Sequence, residues 1–386
     1  MDFELTTEQR AWHDAAVDFA RKHLCGGADG DGMAARDREG RFDRDGFTQC
    51  AKFGLLGMPV PKEYGGLGLA LTDVLAVMEG LGYGGKDAGL LFSVNAHLWT
   101  NTIPLVLHGD EEQKRRWLPG LCDGTLIGAN AATEPDAGSD VFALRTTAKR
   151  RGDGYVLDGT KTFVTNAPVA DLIVAYATVD PALGPLGVTA FVVERGRRGV
   201  AVGKPIEKMG LRTSPMAEVV FDGVEVPATH RLGREGRGVE VFESSMEWER
   251  GCILASCLGV MRRQLERCVA HARTRRQFGQ PIGKFQAVAS RIVDMQLRLE
   301  TSRLLVYRLG AKKDRGEDAT AEAALAKLHV SDSFVKSGLD AVQVFGGYGY
   351  TAEYELEREL RDAIGGTLYS GTSEIQRNIL SRALGL

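Results

Sequence analysis

Three carboxylates that could take up a proton lie close together in the segment ESSMEWERGC, residues 243–252. They are Glu243, Glu247 and Glu249, and a carboxylate held in place beside a substrate can act as a general base. On a helix of about 3.6 residues per turn, Glu243 and Glu247 share a face that could be solvated, and Glu249 points roughly 200° away from Glu247. Glu249 could instead pair with Arg250 or act as a favourable acidic residue in the first helical turn.

A second segment, HARTRRQFGQPIGKFQAV (residues 271–288), combines several arginines with a glycine and a proline. Gly279 and Pro281 predict a break between two helices at this point. A guanidinium group is planar and binds a phosphate through two hydrogen bonds, which an ammonium group does less well. The segment therefore indicates phosphate binding, and its alternative interpretation is a solvated basic helix end.

The chain that must position these segments changes character twice. Helical periodicity runs from Thr6 to about Leu121, and Thr6 and Gln9 are spaced to cap the first helix. Short runs of β-branched and aromatic residues then alternate with turn residues, which predicts strands up to Leu232. Helical periodicity returns from about Gly236, and the expected helices span 239–272, 286–313 and 319–345, with a terminal helix from 373. These patterns predict an N-terminal α-helical domain (1–121), a β domain (122–232) and a C-terminal α-helical domain (233–386).

Turn residues add local predictions. The segment 54–69, with two prolines and five glycines, is expected to be a connector. RGDGY (151–155) and LDGTK (157–161) predict hairpin turns, because Asp-Gly supplies the positive φ that such turns need. The clusters GGADGDG (26–32) and GGYGY (346–350) do not lie between a strand and a helix, so a Rossmann nucleotide loop is not predicted at either.

The overall composition excludes several classes of function. The net charge of −3 over 386 residues gives no electrostatic footprint for nucleic acid. Six dispersed cysteines show no metal-ligand spacing, so we expect reduced thiols and no metal. The N-terminus MDFELTTEQR is acidic and polar, unlike a signal or transit peptide, and no apolar run approaches the roughly 18 residues of a membrane span. We therefore expect a soluble, cytoplasmic protein.

The closing stretch GGTLYSGTSEIQRNIL (365–380) resembles the signature of the FAD-dependent acyl-CoA dehydrogenases. Ser370 stands where most of that family carries the glutamate that removes a substrate proton, and a serine hydroxyl is a poor base at neutral pH. A minority, including the isovaleryl-CoA and long-chain acyl-CoA dehydrogenases, keeps its base near the start of the helix after the β domain. There Glu249-Arg250 matches the pattern, with the same distance to Gly259.

The resemblance implies that Glu249 is the base and that the backbone N–H of Ser370 and a flavin hydroxyl polarise the thioester carbonyl. We expect the pKa of Glu249 to lie above the reference of about 4.3. The resemblance also implies an α+β acyl-CoA dehydrogenase fold, with an N-terminal α-helical domain, a central β-barrel-like domain and a C-terminal four-helix bundle.

Four further motifs resemble the FAD-contacting segments of this family: ANAATEPDAGSD (129–140), KTFVTNAP (161–168), residues 271–288 and QVFGGYGY (343–350). By resemblance Phe163 lies over the isoalloxazine and excludes water, and the 271–288 segment reaches the FAD of a neighbouring protomer. Taken singly, each motif also suits a structural role: a strand-to-turn junction, a core aromatic, a helix end or a helix-stop glycine pair. The implied FAD residues are Thr133, Ser139, Phe163, Thr165, Arg275, Gln277, Phe278, Gln286, Gln343, Gly346, Gly347, Thr372 and Glu374.

The implied reaction is α,β-dehydrogenation of an acyl thioester, with a flavoprotein or oxygen as electron acceptor. The implied assembly is a homotetramer built as a dimer of dimers. NAPVAD and SMEWER resemble the branch that acts on thioesters tethered to acyl or peptidyl carrier proteins in antibiotic and polyketide pathways. The basic runs KRRGDG (149–154) and ERGRRG (194–199) could dock an acidic carrier protein, or could be solvated hairpin turns.

Three alternatives remain open from the sequence. The first is a catabolic dehydrogenase of short or branched acyl-CoA esters. The second is a flavin oxidase or monooxygenase on the same scaffold. The third is a catalytically silent protein that associates with DNA, as a few relatives do; the acidic net charge and the intact FAD motifs disfavour it.

Overall fold

The computed structural model describes residues 4–25 and 32–386, so nearly all of the GGADGDG cluster lies outside the described residues. Seven helices occupy the first third of the described chain. The predicted cap of α1 is confirmed: Gln9 N donates to Thr6 Oγ1 at 3.2 Å, and Gln9 Oε1 accepts from Thr6 N at 3.1 Å. The connector at 54–69 contains only short 3-10 turns, as expected. The helices are α1 (Thr7–His23), α2 (Gly32–Glu39), α3 (Arg44–Lys52), α4 (Leu71–Gly84), α5 (Ala88–His97), α6 (Ile103–His108) and α7 (Glu111–Asp123).

A π-helical turn, Leu98–Thr102, joins α5 to α6 and makes Ala88–His108 one continuous apolar stretch. Its length and mean hydropathy of 1.2 would allow it to cross a membrane, so the expectation that no stretch of this kind exists was wrong. Its most apolar window is 83% buried by the rest of the protein. A stretch that the fold itself covers is a core helix, and it is weak evidence for a membrane span.

Eight strands form one sheet with the order β6-β7-β3-β2-β4-β5-β8, and β1 pairs in parallel with β4. The predicted hairpin at RGDGY is confirmed, but Gly152 (φ 58°) supplies the positive φ. The predicted turn at LDGTK is wrong, because the pairing with β7 absorbs Gly159 as an irregularity within β3. The strands are β1 (Gly128–Ala131), β2 (Thr147–Arg151), β3 (Gly154–Thr165), β4 (Leu172–Thr178), β5 (Val188–Glu194), β6 (Val200–Val202), β7 (Met216–Pro227) and β8 (Arg231–Leu232).

Long helices return after the sheet. The helix predicted over 239–272 is divided at Ile253–Leu254, and α12 was not predicted. The break expected at Gly279 and Pro281 is confirmed as a small hairpin of β9 (Arg276–Gln277) and β10 (Gln280–Pro281). The helices are α8 (Gly238–Cys252), α9 (Ala255–Thr274), α10 (Gln286–Asp314), α11 (Thr320–Phe345), α12 (Leu356–Gly365) and α13 (Ser373–Ala383).

The helices before and after the sheet share one hydrophobic core. Helices α4 and α9 approach closely because Gly82 and Gly259 face the opposite backbone: a Cβ on Gly259 would lie 2.0 Å from Glu79 O. A second buried cluster, including Trp117, Val174 and Val241, joins the sheet to α7 and α8. This packing fixes α8, which carries the three candidate carboxylates, between the sheet and the C-terminal helices.

Candidate active site

The structure separates the three carboxylates of α8 by their surroundings. Glu243 is exposed. Glu247 makes an ion pair with Lys313 at 3.0 Å and accepts a hydrogen bond from Ala319 N at 3.2 Å, so it ties α8 to α10 and to the start of α11. Glu249 is 7% exposed and forms no ion pair with any described residue. Only Glu249 is therefore both buried and free to exchange a proton with a substrate.

Burial raises the pKa of Glu249 to about 7. The Ser370 hydroxyl and the charges of Arg250 and Lys327 act in the opposite direction, and desolvation of the carboxylate outweighs them. The expected rise of this pKa is thus present. A carboxylate that is half-ionised near pH 7 is suited to general-base catalysis at neutral pH.

The turn at Ser370 lies beside Glu249 in a strained conformation. Ser370 has φ 57°, which is uncommon for a residue other than glycine. Its backbone oxygen accepts from Arg250 Nε at 3.2 Å and from Gln376 Nε2 at 3.1 Å, whereas its N–H donates to no group in the described chain. The Ser370 hydroxyl is buried and lowers the pKa of Glu249. It has no well-formed hydrogen bond to any described group. The turn thus leaves an N–H and a hydroxyl available next to the buried carboxylate.

Lys327 on α11 supports the same turn, and sequence reasoning missed it. Its Nζ donates to Gly371 O at 2.6 Å, and Gln376 Nε2 donates to the same oxygen at 2.9 Å. Lys327 is fully buried, and burial lowers its pKa to about 8. A lysine in the predominantly apolar run AEAALAKLHV was the available signal, because lysine is rarely buried without a partner.

Phe163 is held outward by a local irregularity in β3. The pairing of β3 with β7 shifts register between Lys161 and Val164, and Phe163 has φ 54° with 60% of its surface exposed. A bulge of this kind redirects a side chain and is common beside active sites. The alternative of a core aromatic is therefore wrong, and Phe163 presents an exposed ring to whatever binds there.

The structure brings the motifs at 129–140 and 161–168 together. Thr162 N donates to Thr133 O at 2.9 Å, and Lys161 makes a buried ion pair with Glu134 at 2.7 Å. Thr165 is half-buried at the end of β3. The next residue, Asn166, is fully buried, and its Oδ1 has no hydrogen-bond partner in the described chain. Ser139 lies on the exposed part of the same loop.

The motifs at 271–288 and 343–350 also meet, at a different place. The Arg275 guanidinium lies 5.7 Å from the Tyr348 ring centroid, and His271 stacks on Phe345 at 4.2 Å. Gly346 has φ 62° and ψ −135°, a conformation that requires glycine. The other residues implied here are exposed, with Phe278 at 93%; they are Gln277, Gln286, Gln343 and Gly347.

The two groups of FAD residues are not joined within one chain: no hydrogen bond or ion pair among the described residues connects them. The terminal signature lies with the Glu249 site, since Thr372 caps α13 by accepting from Ile375 N at 3.3 Å. Glu374 is exposed in the first turn of α13.

A buried carboxyl group with a pKa near neutrality, next to a free backbone N–H, is an arrangement that can remove a proton adjacent to a carbonyl group. Matches to known proteins agree with this chemistry. Three family models cover nearly the whole chain: the acyl-CoA dehydrogenase N-terminal domain (6–125), middle domain (129–224) and C-terminal domain (236–385). The chain belongs to the acyl-CoA dehydrogenase family, and it has the mixed helix and sheet fold expected.

Three relatives illustrate the similarity. The L-prolyl-[peptidyl-carrier protein] dehydrogenase of Pseudomonas fluorescens is 48% identical over 87% of this chain and 89% of its own length. A crystal structure of the prolyl acyl carrier protein oxidase AnaB matches 99% of this chain and all of its own with a TM-score of 0.97 and 45% identity. A structure of PigA with FAD and proline covers both chains fully, with a TM-score of 0.96 and 42% identity.

Proposed function

We propose that this protein is an FAD-dependent dehydrogenase of acyl thioesters carried by an acyl or peptidyl carrier protein in a secondary-metabolite pathway. The observation that carries the proposal is the position of Glu249, buried without an ion pair beside the Ser370 turn. In the reaction the α C–H proton passes to the Glu249 carboxylate, the β-hydrogen leaves with its electron pair, and a C=C bond forms.

The protein's own contribution is to hold the thioester and make its α-proton acidic. The Ser370 N–H, free of protein partners, would donate to the thioester oxygen and stabilise the negative charge that develops there. Arg250, Lys327 and Gln376 hold the two backbone oxygens of the turn, which fixes the direction of that N–H. Because the donors are in place before substrate arrives, little reorganisation is needed during proton removal.

The residues present fit FAD in two separate groups. Bound FAD would supply the acceptor for the hydride that leaves the β carbon. The first group comprises the exposed Phe163 ring, Thr133, Thr165 and the buried Asn166, whose Oδ1 has no hydrogen-bond partner in the described chain. The second surface, at Arg275 and Gly346, carries guanidinium groups suited to a pyrophosphate. For the other residues of this second surface, and for Thr372 and Glu374, we propose the FAD contacts that the resemblance implies.

The separation of these two groups in one chain supports an oligomer in which one protomer completes the cofactor site of its neighbour. Exposed apolar residues favour association: Phe278, and Val293, Leu297 and Leu304 along one face of α10. We propose a homotetramer, a dimer of dimers, located in the cytoplasm. The division into domains at residues 121 and 232 also stays a prediction.

The carrier-bound substrate is favoured by the relatives, two of which are named for prolyl groups on carrier proteins. We propose an aminoacyl thioester of the prolyl type as the first substrate to test. The electron acceptor is a flavoprotein or oxygen, and the name of AnaB as an oxidase makes oxygen worth measuring.

The experiment is anaerobic flavin bleaching of the purified holoenzyme by a panel of thioesters. The panel presents prolyl, isovaleryl, butyryl and malonyl-type acyl groups, each on a carrier protein and on CoA. Stoichiometric bleaching by a carrier-bound thioester, with CoA esters inactive, is the expected result. Bleaching by CoA esters alone would establish the catabolic alternative, and no bleaching by any thioester would overturn the proposed function.

A further inference from the structure

We infer that the carrier protein docks on the surface formed by Leu183, Leu186, Arg234 and Arg237, called the entrance face below; this inference rests on the proposed function. Leu183 and Leu186 are 53% and 69% exposed in the segment between β4 and β5. Arg234 and Arg237 are exposed and make no ion pair or hydrogen bond through their side chains within the described residues. Two exposed leucines beside two free guanidinium groups match a partner that is acidic around an apolar centre.

The leucines and arginines form one surface because their segments touch. Gly236 N donates to Thr189 Oγ1 at 2.9 Å, and a Cβ on Gly236 would lie 2.6 Å from Leu186 O. Of the neighbouring carboxylates, Asp180 is engaged by Ala182 N at 2.9 Å and Glu235 by Arg150 at 2.7 Å. Glu240 lies exposed one turn along α8. The guanidinium groups of Arg234 and Arg237 therefore stay available to an incoming partner.

The entrance face lies at the start of the helix that carries the base. Helix α8 begins at Gly238, and Glu249 follows eleven residues later, about 16 Å along the helix axis. Between the two, Phe242 on α8 packs edge-on against Phe142 and against Tyr176, each at 5.5 Å between ring centroids. The charge of Glu249 contributes to the raised pKa of Tyr176, after burial. A phosphopantetheine arm is a flexible chain of comparable length, so a carrier docked here could deliver its thioester to Glu249.

The two basic runs proposed from the sequence differ in their suitability. ERGRRG begins at Glu194, at the end of β5 opposite Leu186, about 20 Å away at 3.4 Å per residue. Within it Arg197 pairs with Glu194 at 2.8 Å, and Arg195 donates to Pro168 O. In KRRGDG, Arg150 and Arg151 pair with Glu235 and Glu225. Neither run offers the free charge and exposed apolar surface found together at the entrance face.

The test compares one acyl group on two carriers. Wild-type holoenzyme, the double variant Arg234→Glu/Arg237→Glu and the double variant Leu183→Ser/Leu186→Ser are assayed with the carrier-bound thioester and with its pantetheine thioester. We expect KM for the carrier-bound substrate to rise about tenfold in each variant, because charge and apolar contact both support the encounter of the two proteins. The kcat for the carrier-bound substrate and both kinetic constants for the pantetheine thioester should stay unchanged. The charge variant should also lose most of the salt dependence of kcat/KM.

A matched control is Arg195→Glu/Arg198→Glu, which makes the same charge change at the other end of β5. Any of three results would overturn the docking surface. The entrance-face variants could keep the wild-type KM for carrier-bound substrate, or they could lose kcat/KM equally with carrier-bound and pantetheine thioesters. The control variant could also lose as much kcat/KM for carrier-bound substrate as they do. These results leave the proposed function standing, because wild-type enzyme still turns over carrier-bound thioester. A wild-type enzyme that uses CoA esters and ignores carrier-bound ones would refute the carrier specificity and the docking surface together.

Discussion

Arg250 donates from Nε to the backbone oxygen of Ser370 at 3.2 Å. The residue after the candidate base therefore holds the turn in which Ser370 stands in place of the family's usual glutamate. This contact links α8 directly to the segment before α13. When the carboxylate is carried by α8, the turn keeps its backbone donor and gives up only its side-chain acid. The base and the carbonyl donor can therefore come from different elements and still act on one thioester.

The pH dependence of flavin reduction should follow the ionisation of Glu249. The base must be ionised, and burial raises its pKa to about 7, so the rate should fall as pH drops through about 7. Below the midpoint we expect about a tenfold loss per pH unit. The measurement is anaerobic stopped-flow reduction at saturating thioester from pH 5.5 to 9. A flat profile across this range would contradict the assignment.

Substituting Glu249→Gln should stabilise the protein at alkaline pH. The folded state raises the pKa from its ordinary 4.5 to about 7, so it binds the proton more tightly than the unfolded state does. The stability that this group contributes is complete below about 4.5 and is lost as pH rises through about 7. The free energy of unfolding of the variant, relative to wild type, should therefore grow by about 3 kcal/mol between pH 4.5 and pH 8.

Urea denaturation of the two proteins at both pH values measures this difference. Burial also raises the pKa of Asp362 to about 7, and comparing variant with wild type cancels that common contribution. A stability difference between the two proteins that is the same at pH 4.5 and at pH 8 would show that burial does not raise the pKa of Glu249.

Replacement of Lys327 by methionine should shift the kinetic pKa upward. The buried cation lowers the pKa of Glu249 and holds Gly371 O, so its removal favours the protonated base and loosens the turn. We expect the acidic limb of the rate profile to move to higher pH and kcat to fall about tenfold or more. The groups that face the Glu249 and Lys327 pair are Arg250, Asp332, Glu374, Tyr176 and Tyr369.

Lys313→Met is the matched control. Lys313 on α10 pairs with Glu247, which lies on α8 like Glu249, and Lys313 does not contact the Ser370 turn. This variant should lower stability with no displacement of the pH profile. If Lys327→Met lowers stability and leaves the profile in place, Lys327 has only a structural role.

Phe163→Ala should weaken FAD binding and leave the apoprotein equally stable. The ring is 60% exposed, so its removal takes little from the core, whereas burial against a flat cofactor would contribute about 1–3 kcal/mol. We expect the Kd for FAD to rise about 10- to 100-fold by fluorescence titration. Leu107→Ala, at a residue 44% exposed on α6, serves as the comparison and should leave the Kd unchanged. A large fall in apoprotein stability would show that Phe163 packs into the fold instead.

The order of helices, strands and helices could be predicted from periodicity because each element buries a regular face. The break at Ile253 and Leu254 could not, since the apolar pattern continues through it and neither residue is a glycine or a proline. Gly159 was misassigned because Asp-Gly favours a turn locally, while pairing with β7 on one side and β2 on the other keeps β3 continuous.

Within the site, sequence reasoning identified Glu249 and Ser370 but could not identify their supports. Lys327 acts through a contact with Gly371, 44 positions along the chain, which no local pattern encodes; Gln376 lies within the closing stretch itself, but its contact with the turn is visible only in the structure. The outward position of Phe163 likewise depends on a register shift between two strands. Positions fixed by tertiary contacts need the structure.

Single-turnover anaerobic reduction of Glu249→Gln and Glu247→Gln holoenzymes, side by side with wild type, tests the central claim most directly. The flavin in Glu249→Gln should stay oxidised with carrier-bound thioester, or be reduced about 10²- to 10⁴-fold more slowly, although thioester binding persists. Glu247→Gln should reduce at nearly the wild-type rate. Wild-type bleaching by Glu249→Gln would contradict the account, because the α-proton would then leave by another route.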